Sequence, residues 1–314
     1  MKQYPYIAVN AKIDCEGVYP TKPAFGYYGA KQRISSSIID LFPPHYAWVE
    51  VFCGSAAITL AKVPAQIEII NDLDSNVVNL FNQLRHNKKR IINAIELTPY
   101  SREEFENAKV MRSSDSKLER ARKFLITSMM TVNATVGGPK CGFSYSTSYS
   151  RSGVEARVSR WNNVPERISK VIQRLKNIRI ENLDARRIVE LFIDRPATLM
   201  YLDPPYFVNR SHNYPVDEKD RVFHEELLDL CCRSKAMIII SSYDNGLYRM
   251  FLNKKTGWKR KIIKTHTRDT DGKSFERKEV LWMNKNFVKA YKNNRVPIRL
   301  SKKEKENNKV NPPR

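Results

Sequence analysis

Apolar positions in this chain fall into short continuous runs that alternate with segments of helical spacing. Ala47-Trp48-Val49-Glu50-Val51-Phe52 has the length and side-chain character of a strand; the small-residue turn Cys53-Gly54-Ser55 follows, and Ala56-Ala57-Ile58-Thr59-Leu60 opens a helix. Residues 66–70 predict a second strand, after which Asp74 or Ser75 can cap a helix with Val77, Leu80, Phe81 and Leu84 on one face. The rhythm resumes at Ile178-Arg179-Ile180, with a turn at Asp184, a helix over Ala185–Phe192 and a strand over residues 197–202. A helix around residues 224–234 leads into Met237-Ile238-Ile239-Ile240, and late strands are expected at residues 258–264 and 280–283. Strands alternating with helices predict an α/β fold whose mainly parallel sheet is covered on both faces.

Residues 86–176 break this rhythm. Charged helical sequence comes first, and residues 135–161 are then rich in Gly, Ser, Tyr and Arg. The pattern predicts a mostly helical module over residues 86–176, inserted into a catalytic core made of residues 1–85 and 177–286. Residues 287–314 are basic and polar, with Lys302-Lys303-Glu304-Lys305 near the end, and are expected to form a flexible tail.

Composition changes this picture mainly through charge. The 314 residues, 41% of them apolar, can bury a full core, but the net charge of +22 is the dominant fact. Such a field attracts polyanions, nucleic acid before all, with an anionic membrane surface as the alternative. No run approaches the roughly 18 apolar residues that span a bilayer, and the first residues lack the apolar core of a signal peptide. An intracellular, cytoplasmic protein is therefore expected. Cys15, Cys53, Cys141, Cys231 and Cys232 form no C-x-x-C pair, and the five histidines show no ligand spacing, so reduced thiols and no metal are predicted.

In an open parallel sheet, ligands bind beyond the carboxyl ends of the strands. Gly54 lets backbone approach a ligand there, and Asp72, 18 positions on and just after a strand, can accept hydrogen bonds from ribose hydroxyls. That pair alone fits any nucleotide fold or a plain structural turn. Asp203-Pro204-Pro205-Tyr206 is more specific: with proline near 5% of residues, it arises by chance in on the order of one chain in a thousand. It follows an apolar strand, and its two prolines stiffen the loop and remove two backbone donors. Asp203 and the Pro204 carbonyl could accept the two hydrogens of an exocyclic adenine amine, making that nitrogen more tetrahedral and more nucleophilic toward an aligned sulfonium methyl. Tyr206 offers an aromatic face to a base flipped from the duplex.

These residues, and their order, resemble the Dam-type, alpha-group DNA adenine-N6 methyltransferases with a DPPY motif. Tyr27-Tyr28-Gly29-Ala30-Lys31 is similar to the family's N-terminal aromatic-glycine-lysine segment. The likeness implies that Tyr27 packs against the cofactor and that Lys31 contacts its methionine carboxylate or the active site. Glu50, Phe52 and Gly54 match the acidic-x-Phe-x-Gly loop, and Asn71-Asp72 the Asn-Asp that holds the cofactor ribose. Asp184 is similar to an acidic residue associated with the cofactor adenine, and Asp203 counts as both catalytic and cofactor-binding. Ser241-Ser242-Tyr243 and residues 277–284 resemble later strand segments, whereas Ser55 and Ala56 stand where further glycine is common.

The resemblance implies a Rossmann-like, S-adenosylmethionine-dependent methyltransferase sheet with an inserted target-recognition domain. The implied activity is site-specific methylation of adenine N6 in double-stranded DNA, compatible with a restriction endonuclease as functional partner. Lys140, Phe143, Tyr145, Tyr149, Arg151, Arg157, Arg160 and Trp161 of the insertion become candidates for DNA contact, against the alternative of a surface lobe with its own small aromatic core. Two other functions remain open: methylation of another planar amine, such as cytosine N4 in DNA or adenine in RNA, and DNA binding without catalysis. Methylation of a cytosine ring carbon is disfavoured, because no cysteine stands beside the proline pair.

Overall fold

The computed structural model describes residues 19–132, 142–146, 153–207, 220–268 and 274–297. Its sheet comprises β1 (Ala47–Glu50), β2 (Ile67–Asn71), β3 (Ile178–Glu181), β4 (Thr198–Leu202), β5 (Met237–Ser242), β6 (Lys259–Arg268) and β7 (Ser274–Met283). The strand order is β3-β2-β1-β4-β5-β7-β6. β1 to β5 run parallel, and β7 lies antiparallel between β5 and β6. The chain moves outward from β1 to β2 on one side and to β4 on the other, so the crevice for a ligand opens beyond the C-terminal ends of β1 and β4.

Alternation along the strands sorts the core. Val49, Val51, Met200 and Leu202 face one way, toward α9 (Ala185–Phe192) and α10 (Arg221–Arg233). Trp48, Leu199 and Tyr201 face the other, packed with Ile38 of α1 (Ser35–Ile39) and Phe287 of α12 (Lys285–Asn293). Asp74 caps α3 (Ser75–His86) by accepting from Asn76 N at 2.9 Å, and Val77, Leu80, Phe81 and Leu84 are all buried.

Between α3 and β3 the described chain is helical: α4 (Lys88–Glu96), α5 (Arg102–Ala108), α6 (Lys117–Met130), α7 (Ala156–Asn162) and α8 (Val164–Leu175). Ile91, Phe105, Phe124, Val164 and Leu175 from these helices share one apolar core with Leu80, Phe81 and Leu84 of α3. The segment therefore continues the core instead of enclosing one of its own.

Two boundaries differ from expectation. Residues 285–293 form α12 where a tail was expected from residue 287; Asn284 accepts from Phe287 N, and Phe287 and Ala290 make a buried stripe one turn apart within basic sequence. β7 begins at Ser274, not near residue 280, because its first half pairs only with β6 in a charged ladder that has no apolar period. The remainder of the expected tail, from residue 298, lies outside the described residues.

Candidate active site

Four stretches converge at the crevice: the segment Tyr27 to Lys31, the turn after β1, Asp72 after β2 and Asp203 after β4. They line an open pocket that also touches Leu73, Leu183 and Phe223. Gly54 has φ +47°, and a Cβ placed on it would sit 2.5 Å from Cδ1 of Tyr27, so the turn and the tyrosine ring can meet only with glycine there. Two residues on, Ala56 takes a left-handed φ of 55° at the start of α2 (Ala57–Ala61). Asp72 accepts from Gly54 N at 2.7 Å and from Asp74 N at 2.9 Å, which ties the β1 and β2 loops together. Burial raises its carboxyl to about 6 against the pull of these donors. Asn71 completes the frame, donating to Val51 O and Leu183 O while accepting from Leu183 N.

Glu50 ends β1 with its side chain buried. Its Oε2 accepts from Thr59 N at 2.9 Å and from the Thr59 hydroxyl, which itself accepts from Trp48 Nε1 at 2.7 Å. Burial outweighs these donors and pushes the carboxyl up to about 8. Ser55 Oγ, in the wall of the same cavity, is buried without a hydrogen-bond partner.

Asp203 stands beyond β4 and Lys31 closes on it: Nζ lies 2.7 Å from both carboxylate oxygens and 3.0 Å from Gly29 O. Glu279 of β7 comes within 3.9 Å of the same ammonium. Burial works against the Lys31 cation, but Asp203 and Glu279 carry its pKa above the ordinary lysine value. Burial raises Asp203 to about 6; Lys31 opposes that rise and Glu279 adds to it. Tyr206 turns its hydroxyl inward, donating to Glu279 Oε1 with Asp203 Oδ1 3.2 Å away. Its ring is 7% exposed, with Lys31 Nζ 5.0 Å from the centroid and the Tyr243 ring edge-on at 4.4 Å.

Tyr27, Lys31, Glu50, Phe52, Gly54, Asp72, Asp203 and Pro205 thus meet around one cavity. Of the two interactions open to Lys31, the structure shows the one with Asp203. Pro204 and Tyr206 are buried and are not among the residues that line the cavity. Asp184 caps α9 through Arg186 N at 2.7 Å and pairs with the Arg186 guanidinium, which lowers its pKa; its neighbours Leu183 and Ala185 line the cavity. Glu279, Ser241 and Tyr243 were not expected as site residues; Ser241 and Tyr243 close the apolar run of β5, and Glu279 immediately precedes that of β7.

The expected DNA-contact residues divide. Lys140, Tyr149 and Arg151 lie outside the described residues. Trp161 and Phe143 belong to the helical core: Trp161 is 3% exposed and donates to Thr98 O at 2.8 Å, and Phe143 packs on Tyr100 and Phe105. Tyr145 is 63% exposed, with the Arg102 guanidinium 5.7 Å from its ring. Burial and neighbouring Arg157 lower the pKa of Arg160, and burial and Arg160 lower that of Arg167. These arginines crowd like charges on α7 and α8.

Among the described residues, no cluster of His, Cys, Asp and Glu could hold a metal, and no helix is long and apolar enough to cross a membrane. Residues 27–270 match the family described as D12 class N6 adenine-specific DNA methyltransferase. No curated protein matches the sequence. Among solved structures, a precorrin 8w decarboxylase from Methanobacterium thermoautotrophicum is similar at 10% identity and TM-score 0.34, covering 84% of this chain and 94% of that one. The rRNA methyltransferase AviRa from Streptomyces viridochromogenes is similar at 12% identity and TM-score 0.31, covering 89% and 96%.

Proposed function

This chain belongs to the D12 class of N6 adenine-specific DNA methyltransferases, and from that premise we propose that the cavity binds S-adenosylmethionine and that Asp203 receives a flipped adenine from double-stranded DNA. The single observation that carries the reading is the placement of Asp203 in the wall of the cavity that also holds Asp72 and Glu50. A methyl donor and an acceptor amine could then meet across that wall.

The residues present suit such a donor. Asp72 would take the ribose hydroxyls, Leu73, Leu183 and Phe223 would enclose the adenine ring, and Glu50 with the unsatisfied Ser55 hydroxyl would face the polar amino-acid end. Bound there, the sulfonium supplies an electrophilic methyl group. Asp203 and the Pro204 carbonyl would hold the acceptor amine by its two hydrogens, fixing the lone pair toward the methyl and stabilising positive charge as it develops on nitrogen. Tyr206 would stack on the base once its ring is uncovered, a rearrangement the flipped base itself would drive. Residues 86–176 would select the sequence, with Tyr145, Arg157 and Arg160 facing the duplex, and residues 1–85 with 177–286 would form the catalytic unit.

The test is incubation of the protein with unmethylated DNA and S-adenosylmethionine, read by nucleoside mass spectrometry. N6-methyladenine should appear in DNA, and Asp203→Ala should lower its rate by at least about 100-fold, the scale of losing one preorganised acceptor, while DNA affinity stays within a few-fold. Methylated cytosine, label in RNA only, or a fully active Asp203→Ala variant would each overturn the reading. Because Asp203 must be ionised to accept hydrogens, and its carboxyl titrates at about 6, kcat/KM should fall tenfold per unit as pH drops below that point.

A further inference from the structure

Glu279 is a second carboxylate at the reaction centre, and the methyl transfer proposed for Asp203 does not use it. It is buried on β7 just before the stretch that pairs with β5, and the Ser241 hydroxyl of β5 donates to its Oε1. The same oxygen receives the Tyr206 hydroxyl and lies 3.9 Å from Lys31 Nζ. Asp203 competes for both of these donors, with Tyr206 Oη 3.2 Å from its Oδ1 and Lys31 Nζ 2.7 Å from each oxygen. A tyrosine has one hydroxyl proton, so only one carboxylate can hold it at a time. The closer one is Glu279.

We infer that Glu279 is a positioning residue for methyl transfer: it holds the Tyr206 proton and stands as a second anion beside Lys31, so that Asp203, already paired with Lys31, keeps for the adenine amine the acceptor capacity that Tyr206 would otherwise claim. The inference rests on the proposal that Asp203 receives that amine. Neutralising Glu279 returns the Tyr206 hydroxyl to Asp203 and leaves Asp203 as the one anion of the pair beside Lys31. An Asp203 carboxylate that already accepts from Tyr206 and holds Lys31 fully has less electron density to offer the substrate. The groups that face Asp203 are Lys31 from the N-terminal segment, Glu50 from β1, Tyr201 from β4, Tyr206 from its own loop, Tyr248 from α11 (Gly246–Phe251) and Glu279; Tyr243 faces Lys31.

The variant Glu279→Gln, in the full chain with an unmethylated DNA duplex and S-adenosylmethionine, should lower kcat about 10- to 100-fold and leave KM for DNA and cofactor affinity within about threefold, the pattern of an interaction expressed in the transition state. Its acid limb should move to lower pH, since the anion that pushes Asp203 upward is gone. Adding Tyr206→Phe, which keeps the ring and deletes the competing hydroxyl, should recover part of the missing kcat. A merely structural Glu279 would give neither the shifted limb nor the recovery. An unmoved limb, additive losses in the double variant, or a kcat that falls only in step with the folded fraction would overturn the inference. If Glu279→Gln does not fold, Glu279→Asp withdraws the carboxylate from Tyr206 and should still lower kcat without loss of affinity; wild-type turnover there overturns it. A wild-type protein that transfers no methyl group overturns the Asp203 reading as well, whereas an active wild type with an unaffected Glu279→Gln overturns this inference alone.

Discussion

Glu50 is a buried carboxyl whose pKa of about 8 keeps it protonated in the ligand-free protein at neutral pH. A cationic amino group brought against it would favour the ionised form, so binding must release a proton. Below about pH 8 the free site has to lose that proton first, and cofactor affinity should therefore rise with pH, by at most tenfold per unit, then level off. Titration calorimetry in buffers of differing ionisation heat should read up to one proton released at pH 7. A pH-independent affinity with no proton exchange would remove Glu50 from the surroundings of the ligand's amino group. Most of this site was legible because chemistry and chain position coincide in it. Gly54, Asp72 and Asp203-Pro204-Pro205-Tyr206 each directly follow an apolar strand, and the carboxyl ends of such strands are where a parallel sheet puts its ligand. Lys31 and Glu279 were harder, because each reaches Asp203 from a distant part of the chain; the Lys31–Asp203 pair spans 172 positions. At Asp184 the sequence leaves two roles open, because an acid just before a helix is as good a cap as a ligand; in the structure it caps α9 and pairs with Arg186 two residues on.

At the scale of elements, α8, β2 and α2 are joined by a buried charge cluster. Arg174 of α8 pairs with Glu68 of β2 and donates to Thr59 O of α2 at 3.0 Å, while Lys62 donates to Glu68 at 2.6 Å. Burial alone would raise Glu68, but Lys62 and Arg174 hold its carboxyl at about 2. A depressed pKa means stability that is complete above about pH 4.5 and is lost as pH falls toward 2, of order 3 kcal/mol for this group. Glu68→Gln removes the shared anion from two buried cations and should cost about 3–5 kcal/mol in urea unfolding; a loss under 1 kcal/mol would show that the cations find water or another partner. Ala56, by contrast, carries a left-handed φ of 55° and is fully buried, so Ala56→Gly exchanges about 1 kcal/mol of relieved strain for about 0.8 kcal/mol of forgone methyl burial. Its unfolding free energy should stay within about 0.5 kcal/mol of wild type. Elements with an apolar period were readable from sequence: α9 begins and ends where Ala185 to Phe192 predicted. The first half of β7 and all of α12 were not, since pairing with β6 and a two-residue stripe, Phe287 and Ala290, leave almost no trace in charged sequence.

For the whole molecule, a net charge of +22 predicts attraction to any polyanion, but its placement decides what is gained. Burial, and after it the charge of Arg157 on Arg160 and of Arg160 on Arg167, lowers the pKa of Arg160 on α7 and Arg167 on α8. A phosphate backbone laid across them would relieve that repulsion. Nearby, Arg102 lies 4.9 Å from the ring of Phe143 and 5.7 Å from that of exposed Tyr145, which sets a further cation beside an exposed aromatic ring. Phosphate pairing carries affinity and salt dependence without reading bases. Replacing Arg160 or Arg167 by alanine should therefore weaken binding to cognate and unrelated duplexes alike, and should reduce the slope of log K against log salt by about one for each phosphate no longer neutralised. Thermal stability should not fall, because each change also removes a repulsive charge. Salt titrations by fluorescence anisotropy on the two duplexes, with thermal melts of the same variants, would measure both effects. An unchanged slope with reduced stability would mean that the arginines serve the packing of α7 on α8, and would move the DNA surface to another face of the molecule.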